Sequence, residues 1–295
     1  MAPIPQNIRS RLAAIEPEGS FHGSLPRVES SSGRTFYVKF GQAINVEQWK
    51  GEAESLVAMN DAAPGIAPKL LDFGLSDDGC PYFISEYKDI GSLSSGQMAA
   101  EVLAKRLASE MHMKTNPEGK FGFPIPTYCG VTRLRNGLFE TWKACYAAQL
   151  EDLLQQLKDK GNYKQLCEKL DRVINDIVPK LLGSLNVEPV ILHGDLWSGN
   201  AGVDRSSGQP VIFDPASYYG HNEADLSIAR MFGGFPQAFY KTYHEIRPKT
   251  EPVDQYDHRA NLYELFHHIN HTLIFGGSYA GSSERLMNKL LLLQL

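Results

Sequence analysis

The pattern of apolar and polar positions changes character near residue 90. Before it, apolar residues come in short β-branched and aromatic runs around a single helical stretch; after it, they recur mostly at helical spacing, with a strand-rich interruption near 190–214. Arg34-Thr-Phe-Tyr-Val-Lys-Phe40 has strand composition and follows the turn-prone Ser30-Ser-Ser-Gly33. A helix is predicted over 46–60, with Trp49, Ala53, Leu56 and Val57 on one apolar stripe, Glu52 flanking it and able to turn inward, and Glu54 toward solvent. Pro64 and Pro68 close that helix. Strands are then predicted at 69–73 and 82–87 around the turn Asp77-Asp-Gly79, completing part of a small antiparallel sheet. Further on, Leu103, Leu107 and Met111 repeat every fourth residue, and Leu166, Leu170, Val173, Ile177 and Leu181 predict a long helix that Pro179 bends near its end. The asymmetry predicts an α+β chain of two lobes, residues 1–88 forming a small sheet-bearing lobe and 89–295 a mainly helical one.

The most informative stretch is Pro189-Val-Ile-Leu-His-Gly-Asp-Leu-Trp-Ser-Gly-Asn200, followed by Val211-Ile-Phe-Asp-Pro215. Its elements run strand, polar loop, strand, Ser-Ser-Gly turn, strand. Asp195 and Asn200 are five apart, the spacing of the Asp and Asn in the catalytic loop of kinases, and Asp214 follows Asp195 by nineteen residues at a strand end. Phosphoryl transfer needs these residue types. One carboxylate accepts the proton of the attacking hydroxyl, and hard oxygen ligands hold Mg²⁺ against the phosphates of ATP as charge moves to the leaving group. Asp195 fits the base, and Asn200 and Asp214 fit the metal. Upstream, Lys39 on a strand and Glu52 on the next helix fit the pair in which a lysine meets the α- and β-phosphates and a glutamate orients it.

Other motifs carry less. Asp72-Phe73-Gly74 spells the metal-binding tripeptide of kinases, but it precedes the His-Gly-Asp loop and reads as a strand-to-turn junction in the wrong lobe. His267 and His271 are an i, i+4 pair, with His268 between them, yet no catalytic Glu and no fourth ligand accompany them. Gly19-Ser-Phe-His-Gly23 lies where a glycine-rich turn can present N–H groups to phosphate, but it lacks the G-x-G-x-x-G pattern.

Composition narrows the field. The 295 residues are 42% hydrophobic and 21% charged, with 29 basic against 34 acidic side chains and a net charge of −5, which weighs against a nucleic-acid partner. The longest apolar stretches, such as 290–293, are far too short for a membrane span, and residues 1–10 lack a secretory core, so a cytoplasmic location without a membrane partner is expected. Cys80, Cys129, Cys145 and Cys167 show neither a C-x-x-C pair nor zinc spacing and read as free thiols, buried or half-buried.

At this point the chain resembles the fructosamine kinase (ketosamine 3-kinase) family of the protein-kinase-like superfamily. The resemblance rests on His193-Gly-Asp-Leu-Trp-Ser-Gly-Asn200, on Asp214-Pro-Ala-Ser-Tyr-Tyr-Gly-His221 and on Met231-Phe-Gly-Gly-Phe-Pro236; weaker similarity at 36–40, Gly51-Glu52, 83–87, Lys120-Phe-Gly-Phe123 and Asn270-His271 extends it over most of the chain. It implies a bilobal kinase-like fold. It also implies ATP- and Mg²⁺-dependent phosphorylation of the 3-hydroxyl of sugars joined through an amine to lysine or to proteins, after which the unstable 3-phosphate eliminates and frees the amine. By residue match, Asp195 is then the base, Asn200 and Asp214 the Mg²⁺ ligands, Lys39 and Glu52 the phosphate-positioning pair, and Glu86, Tyr87 and Lys88 the hinge that meets adenine. Trp197 and His271 match positions lining the ketosamine pocket, and Asp225 matches an acidic residue that braces the catalytic loop from below.

The chain departs from the family in two places. Many relatives carry a cysteine in the nucleotide-covering loop that forms an intermolecular disulfide, whereas none precedes Cys80 here, so that redox switch is not expected. Asn136-Gly-Leu-Phe-Glu-Thr-Trp142 keeps the Asn and Trp of a family pattern but has Glu140-Thr141 where relatives have acidic-rich residues. Two other readings stand beside the first: an aminoglycoside- or choline-type kinase, disfavoured because Pro215-Ala-Ser follows Asp214 in place of an aromatic-acidic pair, and a silent binding module, disfavoured because lysine, base and metal ligands are all present. Nothing in the sequence selects an oligomeric state.

Overall fold

A computed structural model describes residues 3–93 and 97–294. Helix α1 (Gln6–Ile15) precedes the strands β1 (Phe21–Ser24), β2 (Arg27–Ser30) and β3 (Thr35–Phe40), then α2 (Val46–Ala62), β4 (Leu70–Leu75) and β5 (Pro81–Glu86). The five strands form one antiparallel sheet in the order β1-β2-β3-β5-β4. Alternation along the strands sorts its two faces. Phe36 and Val38 of β3 and Tyr82 and Ile84 of β5 join Ile8 and Leu12 of α1 in a small outer core. Tyr37, Lys39 and Phe83 therefore project from the opposite face, and Lys39 lies directly across from Phe83 in the β3–β5 register.

Helix α2 lies on that inner side. Gly51 is what lets it come close: a Cβ there would meet the carbonyl oxygen of Pro126 at 2.6 Å, so any larger residue would push the helix, and Glu52 with it, off the second body of the protein. The apolar face of α2 is Gly51, Ala53, Ser55, Leu56 and Met59. Val57, expected on that stripe, is exposed; the helix is turned so that the small Ser55 faces inward, where its hydroxyl donates to the Gly51 carbonyl at 2.7 Å and accepts from the Ser217 amide at 3.2 Å.

The second body begins with β6 (Ile90–Ser92) and α3 (Gln97–Ser109), followed by β7 (Phe121–Phe123), β8 (Thr127–Cys129), β9 (Thr132–Leu134) and β10 (Gly137–Phe139). Helices α4 (Trp142–Lys160), α5 (Lys164–Arg172) and α6 (Val178–Leu182) lead to β11 (Val190–Leu192), β12 (Ala201–Asp204), β13 (Pro210–Ile212) and β14 (Tyr218–Gly220). Then come α7 (Asn222–Asp225), α8 (Ser227–Phe232), α9 (Gln237–Ile246), α10 (Tyr256–Phe275) and α11 (Ser278–Leu291). The strands between 121 and 139 were not expected from the pattern, because three-residue strands leave no period to read. The long helix predicted through Leu166–Leu181 is instead α5, a π-helical turn at Val173–Ile177, and α6. Pro179 thus sits in the first turn of α6, where its missing N–H costs nothing, and the break comes ahead of it. One apolar core runs from Leu56 and Phe83 of the first body through α3, α4 and α10. Among the described residues, no helix is long and apolar enough to cross a membrane.

Candidate active site

Two loops connect the same two sheets and are stitched together. Residues 193–200 join β11 to β12, and 213–217 join β13 to β14. The Ala216 amide donates to the His193 carbonyl at 2.9 Å, the Phe213 amide to the Asn200 carbonyl at 3.0 Å, and His193 Nε2 lies 2.9 Å from the Phe213 carbonyl. Because the Asp195 amide donates to His193 Nδ1 at 3.2 Å, the His193 proton sits on Nε2 and is given to Phe213. Burial holds that imidazole below its ordinary pKa, so it stays neutral and keeps this tautomer. Gly194 permits the tight path: its φ is +81° and a Cβ would meet the Ala216 carbonyl oxygen at 2.1 Å.

Asp225, at the end of α7, fixes the loop from beneath as expected. Its carboxylate accepts from the amides of His193 and Gly194, each at 2.8 Å, and lies 3.2 Å from His112 Nε2. Burial alone would raise its pKa, but the hydrogen bond and charge of His112, with the His193 amide, outweigh that and hold it below the usual carboxylate range.

Above the loop, Asp195, Asn200 and Asp214 border one cavity of about 390 Å³ together with Lys39, Glu52 and Trp197. Asn200 Nδ2 donates to the Asp195 carbonyl at 3.0 Å and to Asp195 Oδ2 at 3.1 Å, which leaves the hard oxygen of Asn200 for another partner. Asp214 holds φ at +53°, a left-handed conformation costing a non-glycine residue roughly 1–2 kcal/mol, and it faces the open cavity. Burial pushes the Asp195 carboxyl up to about 6, against the hydrogen bonds from the Cys129 thiol and the Asn200 amide. Across the cavity, Lys39 Nζ lies 2.7 and 2.8 Å from the two oxygens of Glu52. Burial would lower the Lys39 pKa, but the Glu52 charge and hydrogen bond more than compensate and raise it. Burial raises that of Glu52, against the pull of Lys39. With both oxygens engaged at such distances, the ionised pair is the state that the geometry fits.

Glu52 and Asp214 also border a second cavity of about 260 Å³, whose far wall is Glu86, Tyr87 and Lys88. The Glu86 and Tyr87 amides are committed to the carbonyls of Lys69 at 3.0 Å and Thr35 at 3.3 Å, so they hold this segment in place. Lys88 Nζ is 3.2 Å from Glu86 and 3.7 Å from Asp204.

The structure places Trp197 and His271 differently. Trp197 is a wall of the cavity that Asp195 borders, and His271 is not among the residues that line it. It stands behind Phe232, whose ring centroid is 5.2 Å from Trp197 and 5.1 Å from His271, and it bonds through Nδ1 to the His267 carbonyl at 2.8 Å. The Met231–Pro236 motif belongs to the same wall, for a Cβ on Gly234 would meet Ser198 Oγ at 2.2 Å. The glycine pair Gly19 and Gly23 also fails as a loop tip, since Gly23 lies within β1 and the hairpin turns at Leu25-Pro26. Asp72 is inside β4 and paired with Arg11 at 2.6 Å, far in sequence and role from the catalytic loop. Trp142 is buried with its indole N–H on Tyr263 at 2.9 Å, a structural residue. The four cysteines are free, three of them buried. Tyr128 and Trp49 line the cavity without any motif having marked them, and the position of Cys129 beside Asp195 had no signal in the sequence, because β8 reaches the loop only through the tertiary fold.

A family model described as fructosamine kinase matches residues 18–293. The ketosamine-3-kinase of Mus musculus is 34% identical over 282 residues, covering 89% of this chain and 89% of its own. Among solved structures, a Haemophilus somnus protein provisionally named a fructosamine-3-kinase superposes with a TM-score of 0.79 at 24% identity, over 96% of each chain. A thermostable mutant of aminoglycoside phosphotransferase APH(4)-Ia, in ternary complex with AMP-PNP and hygromycin B, gives 0.63 at 12% identity, over 97% of this chain and 98% of that one. Both superpositions show the bilobal, kinase-like α+β fold.

Proposed function

The chain belongs to the fructosamine kinase family, and on that premise we propose how its cleft carries out the ATP-dependent phosphorylation of ketosamines. It is a ketosamine 3-kinase, moving the γ-phosphoryl of ATP to the sugar 3-hydroxyl so that the product eliminates and the amine is deglycated. Residues 1–88 act as the nucleotide-covering lobe and 89–295 as the lobe that carries base and substrate. The observation that carries this reading is one cavity in which Lys39, Glu52, Asp195, Asn200 and Asp214 meet, adjoined through Glu52 and Asp214 by a second that the 86–88 segment lines.

Adenine belongs in the smaller cavity, against the backbone of Glu86, Tyr87 and Lys88. Lys39, held by Glu52, meets the α- and β-phosphates; the pairing keeps its ammonium from wandering and costs no reorganisation when nucleotide arrives. Asn200 and Asp214 offer the hard oxygens that Mg²⁺ takes, and the strained backbone at Asp214 is consistent with a residue held for a ligand. When bound there, Mg²⁺ neutralises charge on the phosphates. Asp195 accepts the proton of the 3-hydroxyl on its carboxylate. Asn200 fixes one carboxylate oxygen, and the raised pKa places the base close enough to neutrality to take a proton while it remains mostly ionised at pH 7. The Trp197 indole presents a flat apolar face to the sugar, backed by Phe232, with His271 bracing that wall from behind. The substrate is the sugar adduct of lysine or of a protein, entering over this wall.

Formation of ADP that depends on a fructosyl- or ribulosyl-lysine tests the reading. Turnover with an aminoglycoside or choline but none with any ketosamine would overturn it.

A further inference from the structure

Beneath the catalytic cavity, a second set of donors gathers around the base. Cys129, at the end of β8, Asp195 in the loop, and His267 on α10 each bring one ligand atom, and all three atoms lie within 4.8 Å of one another. They come from three elements far apart in sequence. Cys129 is 1% exposed and His267 5% exposed, and Nδ1 of His267 has no hydrogen-bond partner. A buried imidazole nitrogen without a partner is costly and calls for an explanation. Asn270, nearly a turn beyond His267, donates to the Cys129 carbonyl at 3.2 Å and so ties β8 to α10 at this place. Of the three, Asp195 also lines the cavity above.

A thiolate, an imidazole and a carboxylate form a donor set for Zn²⁺, whose sites commonly use three protein ligands and leave a fourth position for solvent. Mg²⁺ prefers oxygen alone, so this set discriminates against the ion that the phosphates require. Ligand atoms bound to one tetrahedral zinc stand roughly 3.3–3.8 Å apart for bonds of these lengths, so a cluster whose atoms all lie within 4.8 Å of one another closes on an ion by no more than about 1.5 Å of movement. We propose that Cys129, Asp195 and His267 form a zinc site that switches the enzyme off by occupying its base. As the zinc–sulfur bond forms, the thiol proton leaves to solvent; the Asp195 oxygen that would have accepted the sugar hydroxyl proton is then bound to the ion. The switching half of this proposal rests on Asp195 being the base; the site itself does not.

The test uses the full chain, stripped with a chelator, and Co²⁺ as a spectroscopic probe of the zinc position. One equivalent should give tetrahedral cobalt bands and a thiolate-to-cobalt charge-transfer band, which Cys129→Ser abolishes. His267→Gln should weaken Co²⁺ and Zn²⁺ binding roughly 100-fold, the upper end of what losing even a supporting contact costs, and it serves as the second variant if Cys129→Ser does not fold. In turnover assays one equivalent of Zn²⁺ should inhibit, a chelator should restore activity, and excess Mg²⁺ should not. Absence of the charge-transfer band overturns the site. Inhibition that excess Mg²⁺ relieves, or that survives in Cys129→Ser with unchanged zinc sensitivity, overturns the switch and places zinc at the phosphate-side ligands. Full activity of Asp195→Ala would remove the base assignment and the switch while leaving the cobalt spectrum to decide the site.

Discussion

Asp195 and Asp225 lie on opposite sides of one loop and were built by opposite rules. Asp225 is closed off from solvent, accepts two backbone amides and faces His112, and its pKa is held down. Asp195 is also largely buried, but has one face on a cavity and fewer donors, and its pKa is pushed up to about 6. The same side chain is therefore held as an anion in one place and, in the other, given the raised pKa that the proposed base needs. What separates them is how many hydrogen-bond donors compensate the loss of water: a carboxylate that is fully satisfied has no reason to take a proton, whereas one left short of donors does.

The sharpest way to break this contrast is to delete each carboxylate. Asp195→Ala should lower kcat about 10²- to 10⁴-fold with the fold intact, as expected for removal of a general base. Asp225→Asn should cost about 3–5 kcal/mol of stability, because the new amide points an N–H at a backbone N–H and leaves His112 without its anion; equilibrium denaturation measures it. If Asp225→Asn folded normally and lost only activity, the two residues would not differ in the way described.

Lys39→Met should reduce kcat/KM about 10²- to 10³-fold, the loss seen when one preorganised charge donor is removed from a transition state. Glu52→Gln should lose less, since an amide can still accept one hydrogen bond from Lys39. Equal losses would mean that Glu52 does more than orient the lysine.

The pH dependence sharpens the comparison further. With Asp195 required as the anion and its pKa near 6 in the free enzyme, kcat/KM should rise about tenfold per pH unit below 6 and level off above it. A limb near pH 4 would mean that burial does not raise this carboxyl. Stability should run the other way. Between the ordinary aspartate pKa and 6 the folded protein keeps a proton that the unfolded chain gives up, so wild type loses stability as pH rises through that window and stays lower above it. Asp195→Asn should consequently stabilise the fold by about 1–3 kcal/mol at pH 7, with the gain fading toward pH 4. A thermal melt of both proteins across that range reads it out.

The smallest effect is expected at Glu47. Arg133 at 2.6 Å and then the Tyr128 hydroxyl hold this carboxyl down, to about 2, and the contacts join α2 to the β8–β9 hairpin. The pair is nevertheless nearly half exposed on both sides. Solvent screens it, and Glu47→Gln should change stability by no more than about 1 kcal/mol.

Much of this molecule could be read without coordinates. Strand β3 with its Lys39, helix α2 with Glu52, and the order of β11, loop, β12, turn and β13 all follow from local period and turn chemistry, which act over a few residues and leave their mark in the order of side chains. The five-residue separation of Asp195 and Asn200 is likewise a property of one short loop. Its observed counterpart is a direct hydrogen bond between them.

The tertiary structure alone decided the rest. The rotation of α2 that exposes Val57 and buries Ser55 depends on the close approach at Gly51 to Pro126, two segments that no local rule connects. That His271 meets Trp197 only through Phe232, a side chain from another helix in contact with both rings, is likewise a tertiary fact. The meeting of Cys129, Asp195 and His267 is of the same kind. A side chain's type and its near neighbours are written in the chain, but which distant groups share its shrinking supply of water is set only when the lobes close, and that supply decides whether a carboxylate anchors a loop or takes a proton.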